Sequence, residues 1–180
     1  MSTFISILRG INVGGHRMIK MEAFKNACGE LGFQNIRTYI QSGNLVFESA
    51  MADTNAISES IHGKIRDAFG YEVPVITMTL EELEQAILGN PFSNDPSKDS
   101  AFFHVAFLSE VPPLQSIEKL HEAECKNDAF ALVNKAVYLY CPDGYSNSKL
   151  TNAFLETKLK VTATTRNWKT TNELLKMATC

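Results

Sequence analysis

The sequence predicts an α+β fold of two consecutive ferredoxin-like halves, each ordered β-α-β-β-α-β, followed by a C-terminal helix. Two observations support this prediction. Short β-branched or apolar runs alternate with segments whose apolar residues recur every three or four positions. The same order then appears twice, on either side of a stretch rich in proline, asparagine and serine. We therefore expect a first half at residues 1–90, a linker at 91–100 and a second half at 101–180.

The first half contains two amphipathic helices between strand signals, and a bridging helix that begins at Thr79. Thr79 and Glu82 have the spacing of a capping box, and this helix is predicted to run to Gly89. The other predicted elements are a strand at 3–8, a helix carrying Met21, Phe24, Cys28 and Leu31, a hairpin of strands at 36–40 and 45–47, a helix after Asp53 and Thr54, and a strand at 73–78.

The second half repeats this order with different residues, so the duplication is predicted from the elements and not from residue identity. The predicted elements are a strand at 102–108, a helix after Pro112 and Pro113, a hairpin of strands at 129–133 and 136–141, a helix capped by Asn147 or Ser148, a strand at 161–164, and a helix from Asn167 or Trp168 to Met177.

The composition is that of an ordinary globular protein, with 44% hydrophobic and 21% charged residues among 180. No apolar run is long enough to span a membrane, and the N-terminus lacks the features of a secretory signal, so we expect a cytoplasmic protein. A net charge of −3 argues against nucleic acid as the main partner. The four cysteines show no zinc-ligand spacing, and no cofactor is predicted.

Two polar, glycine-containing segments follow the first and second strands. Because these strands run parallel across a β-α-β crossover, their C-terminal ends meet at one edge of the sheet. Glycine amides and an arginine there suit a phosphate or carboxylate group. The candidate ligand-binding residues of these segments are Arg9, Asn12, Gly14, Gly15, Gln41, Ser42, Gly43 and Asn44.

A purely structural interpretation of these segments stays open. The glycines after the first strand permit a tight turn, and Ser42, Gly43 and Asn44 fit an ordinary hairpin. The equivalent segments of the second half, at residues 109–113 and 134–135, contain no glycine. This asymmetry indicates that the first half is the specialised one.

A third polar cluster lies near the C-terminus, and Arg166 and Asn167 are its candidate ligand-binding residues. An arginine between a strand and a helix is well placed to hold an anion. Asn167 is also a candidate cap for the last helix, with Thr165 as the alternative. Whether Arg166 lies near Arg9 depends on how the halves pack, and the sequence leaves this open.

These three segments also carry a family resemblance. LRGINVGG, TYIQSGNLVF and TTRNWKT together resemble the uncharacterised bacterial family known as domain of unknown function 1697, over essentially the whole chain. The resemblance implies a cytosolic bacterial protein with repeated ferredoxin-like units, and it implies no activity or ligand. Lys169 stands where the family motif is expected to have asparagine.

The resulting functional hypothesis is a protein that binds a small anionic metabolite or nucleotide at the strand-end loops. It is consistent with an enzyme or with a binding protein, since only His16 lies near these loops as an acid or base and no paired carboxylates accompany it. RNA binding on a ferredoxin-like sheet is one alternative, although the third strand lacks paired aromatic residues. A protein interaction module without a small ligand is the other, and the oligomeric state is left open.

Overall fold

Two four-stranded antiparallel sheets, each accompanied by helices, form the protein, as the sequence predicts. The structure is a computed structural model and describes residues 1–180. The chain divides into two compact units, one formed by Met1–Glu84 with Leu174–Cys180 and the other by Gln85–Glu173. No helix combines the length and apolar character needed to cross a bilayer.

The first unit has the predicted β-α-β-β-α-β order, and its strands lie in the sheet as β2-β3-β1-β4. All three strand pairs are antiparallel, so β1 and β2 point the same way on either side of β3. The elements are β1 (Ser2–Leu8), α1 (Met21–Gly29), β2 (Gln34–Tyr39), β3 (Asn44–Ser49), α2 (Thr54–Phe69) and β4 (Val75–Thr79).

The core of the first unit forms between its sheet and the apolar faces of α1 and α2. Phe4 and Phe47 of the sheet and Phe24, Cys28 and Ile61 of the helices are buried in one cluster. The interpretation of Cys28 as a core residue is confirmed, since its side chain is fully buried. Burying several such side chains, each worth about 1.5–3 kcal/mol, fixes the sheet that carries the loops.

Local hydrogen bonds define the helix ends in this unit. The Asp53 carboxylate accepts from the amides of Asn55 and Ala56, which starts α2, and Gly70 in the left-handed conformation ends it. The predicted capping box is confirmed, because the amide of Thr79 donates to Glu82 at 2.9 Å and the amide of Glu82 donates to Thr79 Oγ1 at 3.1 Å.

The second unit repeats the same sheet order, β6-β7-β5-β8. The bridging helix α3 runs through Leu80–Leu88, and the division between the units falls within α3 and within the last helix. The remaining elements are β5 (Phe103–Leu108), α4 (Leu114–His121), β6 (Ala129–Val133), β7 (Ala136–Tyr140), α5 (Asn152–Leu159), β8 (Ala163–Asn167) and α6 (Trp168–Thr179).

The repeat extends to individual backbone hydrogen bonds. At the end of β1, the amide of Leu8 donates to the carbonyl of Gly43 at 2.8 Å. At the end of β5, the amide of Leu108 donates to the carbonyl of Lys135, also at 2.8 Å. Each bond joins the last residue of a central strand to the last residue of a hairpin turn. The two units therefore share a scaffold despite their different side chains.

Two predicted boundaries in the second unit are wrong. Helix α5 is capped by Thr151, whose hydroxyl accepts from the Phe154 amide at 3.2 Å, and not by Asn147 or Ser148. Ser148 instead accepts from the Leu150 amide within the preceding turn. Strand β8 lies at Ala163–Asn167 and not at 161–164, because its pairing with β5 places polar residues in the ladder, where sequence periodicity does not indicate a strand.

Candidate functional site

The β1–α1 connection is an exposed miniature hairpin. Val13 and His16 form an antiparallel bridge, with the His16 amide donating to the Val13 carbonyl at 3.0 Å. Gly14 and Gly15 between them have φ of +58° and +77°, as in a type I′ turn, where glycine is strongly preferred. The hairpin thus needs both glycines for its backbone. Their own amides are exposed and donate to no group of the protein.

The Asn12 side chain fastens this hairpin to its surroundings. Its Nδ2 donates to the carbonyl of Ile19 at 3.0 Å and to the carbonyl of Gln41 at 2.7 Å, and its Oδ1 accepts from the Ile19 amide at 2.8 Å. Asn12 also has φ of +54°, a left-handed conformation that asparagine tolerates better than most residues. Asn12 therefore positions the loop, and it confirms that the β1–α1 and β2–β3 connections meet at one edge of the sheet.

The β2–β3 turn is packed directly beneath this loop. A Cβ atom on Gly43 would lie 2.8 Å from Leu8 Cβ and 2.8 Å from Ile11 Cδ1, so only glycine fits there. Asn44 is buried, and its Nδ2 donates to the Tyr39 carbonyl at 2.9 Å and to Ser42 Oγ at 3.0 Å. These contacts of Gly43 and Asn44 hold the turn in place, while Gln41 is exposed.

Basic side chains concentrate on this edge. Arg9 is half-buried at the end of β1, where its amide donates to the Pro74 carbonyl at 3.1 Å. Arg17 is exposed, and one guanidinium nitrogen lies 3.3 Å from the position of a Cβ on Gly10. The Arg17 guanidinium forms no hydrogen bond or ion pair within the protein.

Arg17 is a further basic residue of this edge that the sequence prediction did not include. Its position two residues after the Gly14-Gly15 turn could have identified it. Arg17 lies two positions after the Gly14-Gly15 turn and therefore pairs across the hairpin with Asn12. The Asn12 amide donates to the Arg17 carbonyl at 3.2 Å, which holds Arg17 at the base of the hairpin.

Arg166 and Asn167 belong to the second unit. Arg166 lies within β8, paired with Val105, and is not in the connection after the strand. It is buried, burial lowers its pKa to about 10, and its Nη1 donates to the Thr165 carbonyl at 3.0 Å. Asn167 caps α6 by accepting from the Thr170 amide at 2.8 Å.

The histidines form no recognisable catalytic group. His16 is exposed on the hairpin, and His104 stacks on Tyr145 with ring centroids 4.6 Å apart. His62 is half-buried, with Nδ1 2.7 Å from the Val73 carbonyl and Nε2 2.8 Å from Glu72. No three side chains of histidine, cysteine, aspartate or glutamate gather in a way that suits a metal ion.

Comparison with known proteins gives a family and a fold. The model of the family described as a protein of unknown function (DUF1697) matches residues 1–138. Among solved structures, the conserved bacterial protein SP0830 from Streptococcus pneumoniae is similar, with a TM-score of 0.77 and 21% identity over 98% of each chain. Among curated proteins, none matches significantly.

Proposed function

The chain belongs to the DUF1697 family of proteins of unknown function, and we propose that it binds a small anionic ligand, bearing phosphate or carboxylate, at the loop edge of the first sheet. We define the loop edge as residues 9–20 together with residues 40–43. We call the three hydrogen bonds of the Asn12 side chain, to Ile19 and Gln41, the Asn12 clamp. The clamp is the observation that carries the proposal, because it fixes the hairpin that bears the unbonded amides of Gly14 and Gly15 and the unpaired guanidinium of Arg17.

The chemistry of the loop edge favours negative charge. Arg9 and Arg17 supply forked guanidinium groups that match the oxygens of phosphate or carboxylate. The exposed amides of Gly14 and Gly15 add neutral donors. Each good hydrogen bond to a charged group is worth about 1.5–3 kcal/mol, so a few of them suffice for specific binding.

The start of α1 also favours a negatively charged ligand at the loop edge. Lys20 occupies the N-cap position of α1 and makes no side-chain capping bond, so the first amides of the helix lack a protein acceptor. A cation at this end is unfavourable for the helix dipole itself, but it attracts an anion to the site. Glu22, exposed in the first turn, is the nearest acidic residue along the chain.

RNA recognition is less well supported. Base stacking on a ferredoxin-like sheet needs an open sheet face with aromatic side chains. Strand β1 is buried on both faces from Phe4 to Leu8, and β3 is buried from Asn44 to Phe47. In the second unit, Val105 to Leu108 of β5 are buried on both faces as well. Neither central pair of strands offers an open surface for bases.

Amide chemical shifts measured during titration with inorganic phosphate, citrate and adenosine monophosphate test the proposal. We expect saturable shifts at Gly14, Gly15 and Arg17. Arg17→Gln should weaken binding about tenfold, which corresponds to about 1.4 kcal/mol. Lys119→Gln, which removes an exposed cation in the last turn of α4, is the matched control and should leave binding unchanged. Equal weakening by both variants, or no saturable shift, would contradict the proposal.

We propose that Arg166 and Asn167 also contribute to anion binding, and the same titration tests this. Arg166→Gln is expected to weaken binding of the same anions. Unfolding of that variant in urea is measured alongside, because a buried arginine also has structural contacts that its loss would disturb. Weaker binding with unchanged stability assigns Arg166 to the ligand, and reduced stability with unchanged binding assigns it to the fold.

A further inference from the structure

Three large apolar side chains are exposed on the loop edge. Val13 is 62% exposed, Met18 59% and Ile40 49%. Each of them is adjacent in the sequence to a residue of the Asn12 clamp. Val13 follows Asn12, Met18 precedes Ile19 and Ile40 precedes Gln41. The clamp therefore brings the backbone segments that carry these three exposed apolar side chains close together.

Ile40 occupies a backbone conformation that its side chain disfavours. Its φ is +49°, and a β-branched residue in the left-handed region costs roughly 1–2 kcal/mol. Asparagine or glycine would fit this turn position with less strain. The bond from Asn12 to the next residue, Gln41, at 2.7 Å ties the backbone of this turn to the β1–α1 connection. Strain of this kind collects at binding surfaces.

The charged residues within the loop edge itself are all basic. Residues 9–20 include Arg9, His16, Arg17 and Lys20 and contain no aspartate or glutamate, although the whole chain has a net charge of −3. A partner that complements this edge carries acidic groups on either side of an apolar group. The spacing of an extended peptide, with side chains alternating along the backbone, provides such an arrangement.

We propose that the loop edge docks an acidic peptide segment of a partner protein, with one large apolar side chain of the peptide packed against Val13, Met18 and Ile40. This inference rests on the proposed function, because carboxylates of the peptide occupy the anion site of Arg17 and the glycine amides. It identifies the anion as part of a polypeptide that also contributes an apolar anchor.

A peptide fits the loop edge better than an anionic membrane surface does. Binding to a membrane depends on buried apolar area and total charge, and it gains nothing from a fixed turn geometry. A peptide gains affinity when the receptor is already ordered, because less freedom is lost on binding. The Asn12 clamp and the strained Ile40 are features of an ordered receptor surface.

The second unit provides matched control positions. Val111, 59% exposed, lies in the β5–α4 connection, and Val133, 44% exposed, ends β6 beside the hairpin turn. The β5–α4 connection carries Glu110 and no basic residue. These positions share the exposure and the topology of the loop-edge residues, and the β5–α4 connection lacks their positive charge, so they should not contribute to docking.

Fluorescence polarisation of a labelled peptide, Asp-Glu-Asp-Leu-Glu-Asp-Glu, tests the inference on the full-length protein. We expect saturable binding that weakens at least fivefold when leucine is replaced by serine. Ile40→Asn, which suits the left-handed turn and should fold, is expected to weaken binding of the leucine peptide about tenfold. Val133→Asn should have no effect.

The outcomes separate this inference from the proposed function. Equal binding of the leucine and serine peptides, or unchanged peptide binding by the Ile40→Asn variant, overturns the docking inference. Small-anion binding is then still tested independently by the phosphate titration. Leucine-dependent binding without any phosphate shift supports docking and contradicts the small-anion function. Binding to phosphatidylserine vesicles that depends on Ile40, without peptide binding, overturns the inference in favour of a membrane surface.

Discussion

The side chain of Asn12 and the backbone of Ile19 are hydrogen-bonded in both directions, with Nδ2 donating at 3.0 Å and Oδ1 accepting at 2.8 Å. This pair of bonds closes the hairpin at its base, as a backbone ladder would. Because the same Nδ2 also reaches Gln41, one amide group joins two connections that are 29 positions apart in the chain. The order of the loop edge depends on this one side chain more than on any other.

Asn12→Asp should disorder the loop edge while leaving the sheet folded. The carboxylate keeps the acceptor for the Ile19 amide, but it places an oxygen opposite the carbonyls of Ile19 and Gln41, where Nδ2 donated. Losing two hydrogen bonds should lower the free energy of unfolding by about 1–3 kcal/mol. Urea unfolding and amide hydrogen exchange measure the effect, and unchanged exchange at Ile19 would contradict it.

Gly43→Ala should destabilise the protein far more than Gly15→Ala. At Gly43 a methyl group meets Leu8 and Ile11 at 2.8 Å and the φ is +85°, so we expect a loss of about 2–4 kcal/mol. At Gly15 the φ is +77° but no atom lies within 4 Å of the added carbon, so the loss should be about 1–2 kcal/mol. Similar midpoints of urea unfolding for the two variants would refute the packing argument.

Ile40→Asn should raise stability. Asparagine relieves the strain at φ of +49°, while the exposed isoleucine side chain gives up little burial. We expect an increase of up to about 1 kcal/mol in the free energy of unfolding. Thermal and urea unfolding measure it, with Val133→Asn as the comparison. A lower midpoint for Ile40→Asn would show that contacts of the isoleucine outweigh its backbone strain.

His104 should make the protein less stable in acid. Burial lowers the pKa of His104 in the folded state, so the unfolded chain binds a proton more readily as the pH falls below about 6.5. Stability is therefore lost on acidification through this range. His104→Phe, which can keep the stacking on Tyr145, should flatten the dependence of unfolding on pH between about 7 and 5. An unchanged slope in His104→Phe would contradict this assignment.

Thiol reactivity should be confined to the C-terminus of the native protein. Burial raises the pKa of Cys28 to about 12 and that of Cys141 to about 11, and it also raises the pKa of the half-buried Cys125. Cys180 is exposed, so one rapid equivalent should react with a disulfide reagent near neutral pH. Cys180→Ser should abolish the rapid phase, and all four thiols should react in denaturant.

The sequence was informative wherever apolar spacing or a local cap decides the structure. The faces of α1 and α2, the capping box of Thr79 and Glu82, and the hairpin of β6 and β7 follow from residues within a few positions of one another. The bounds of strand β8 did not, because Thr165 and Arg166 belong to the strand only through pairing with β5. That pairing joins residues about 60 positions apart.

The meeting of the two connections was predictable from the sequence, but their individual contacts were not. Strand direction alone brings the β1–α1 and β2–β3 connections together, and the bond from Asn12 to Gln41 confirms this. Asn12 and Asn44 stabilise their loops by donating to the carbonyls of Gln41 and Tyr39. The spacing of residues in the sequence does not specify these partners. The importance of Arg17 depends on a two-residue turn that folds it back over Gly10.

The paired bonds from Leu8 to Gly43 and from Leu108 to Lys135 have a practical consequence. Both central strands end on the same type of anchor, although the first hairpin connects its strands with four residues and the second with two. The same sheet order and the same anchor therefore accommodate hairpin connections of different length. The second unit should therefore accept a graft of residues 9–20 and 40–43, which would give one molecule two copies of the loop edge.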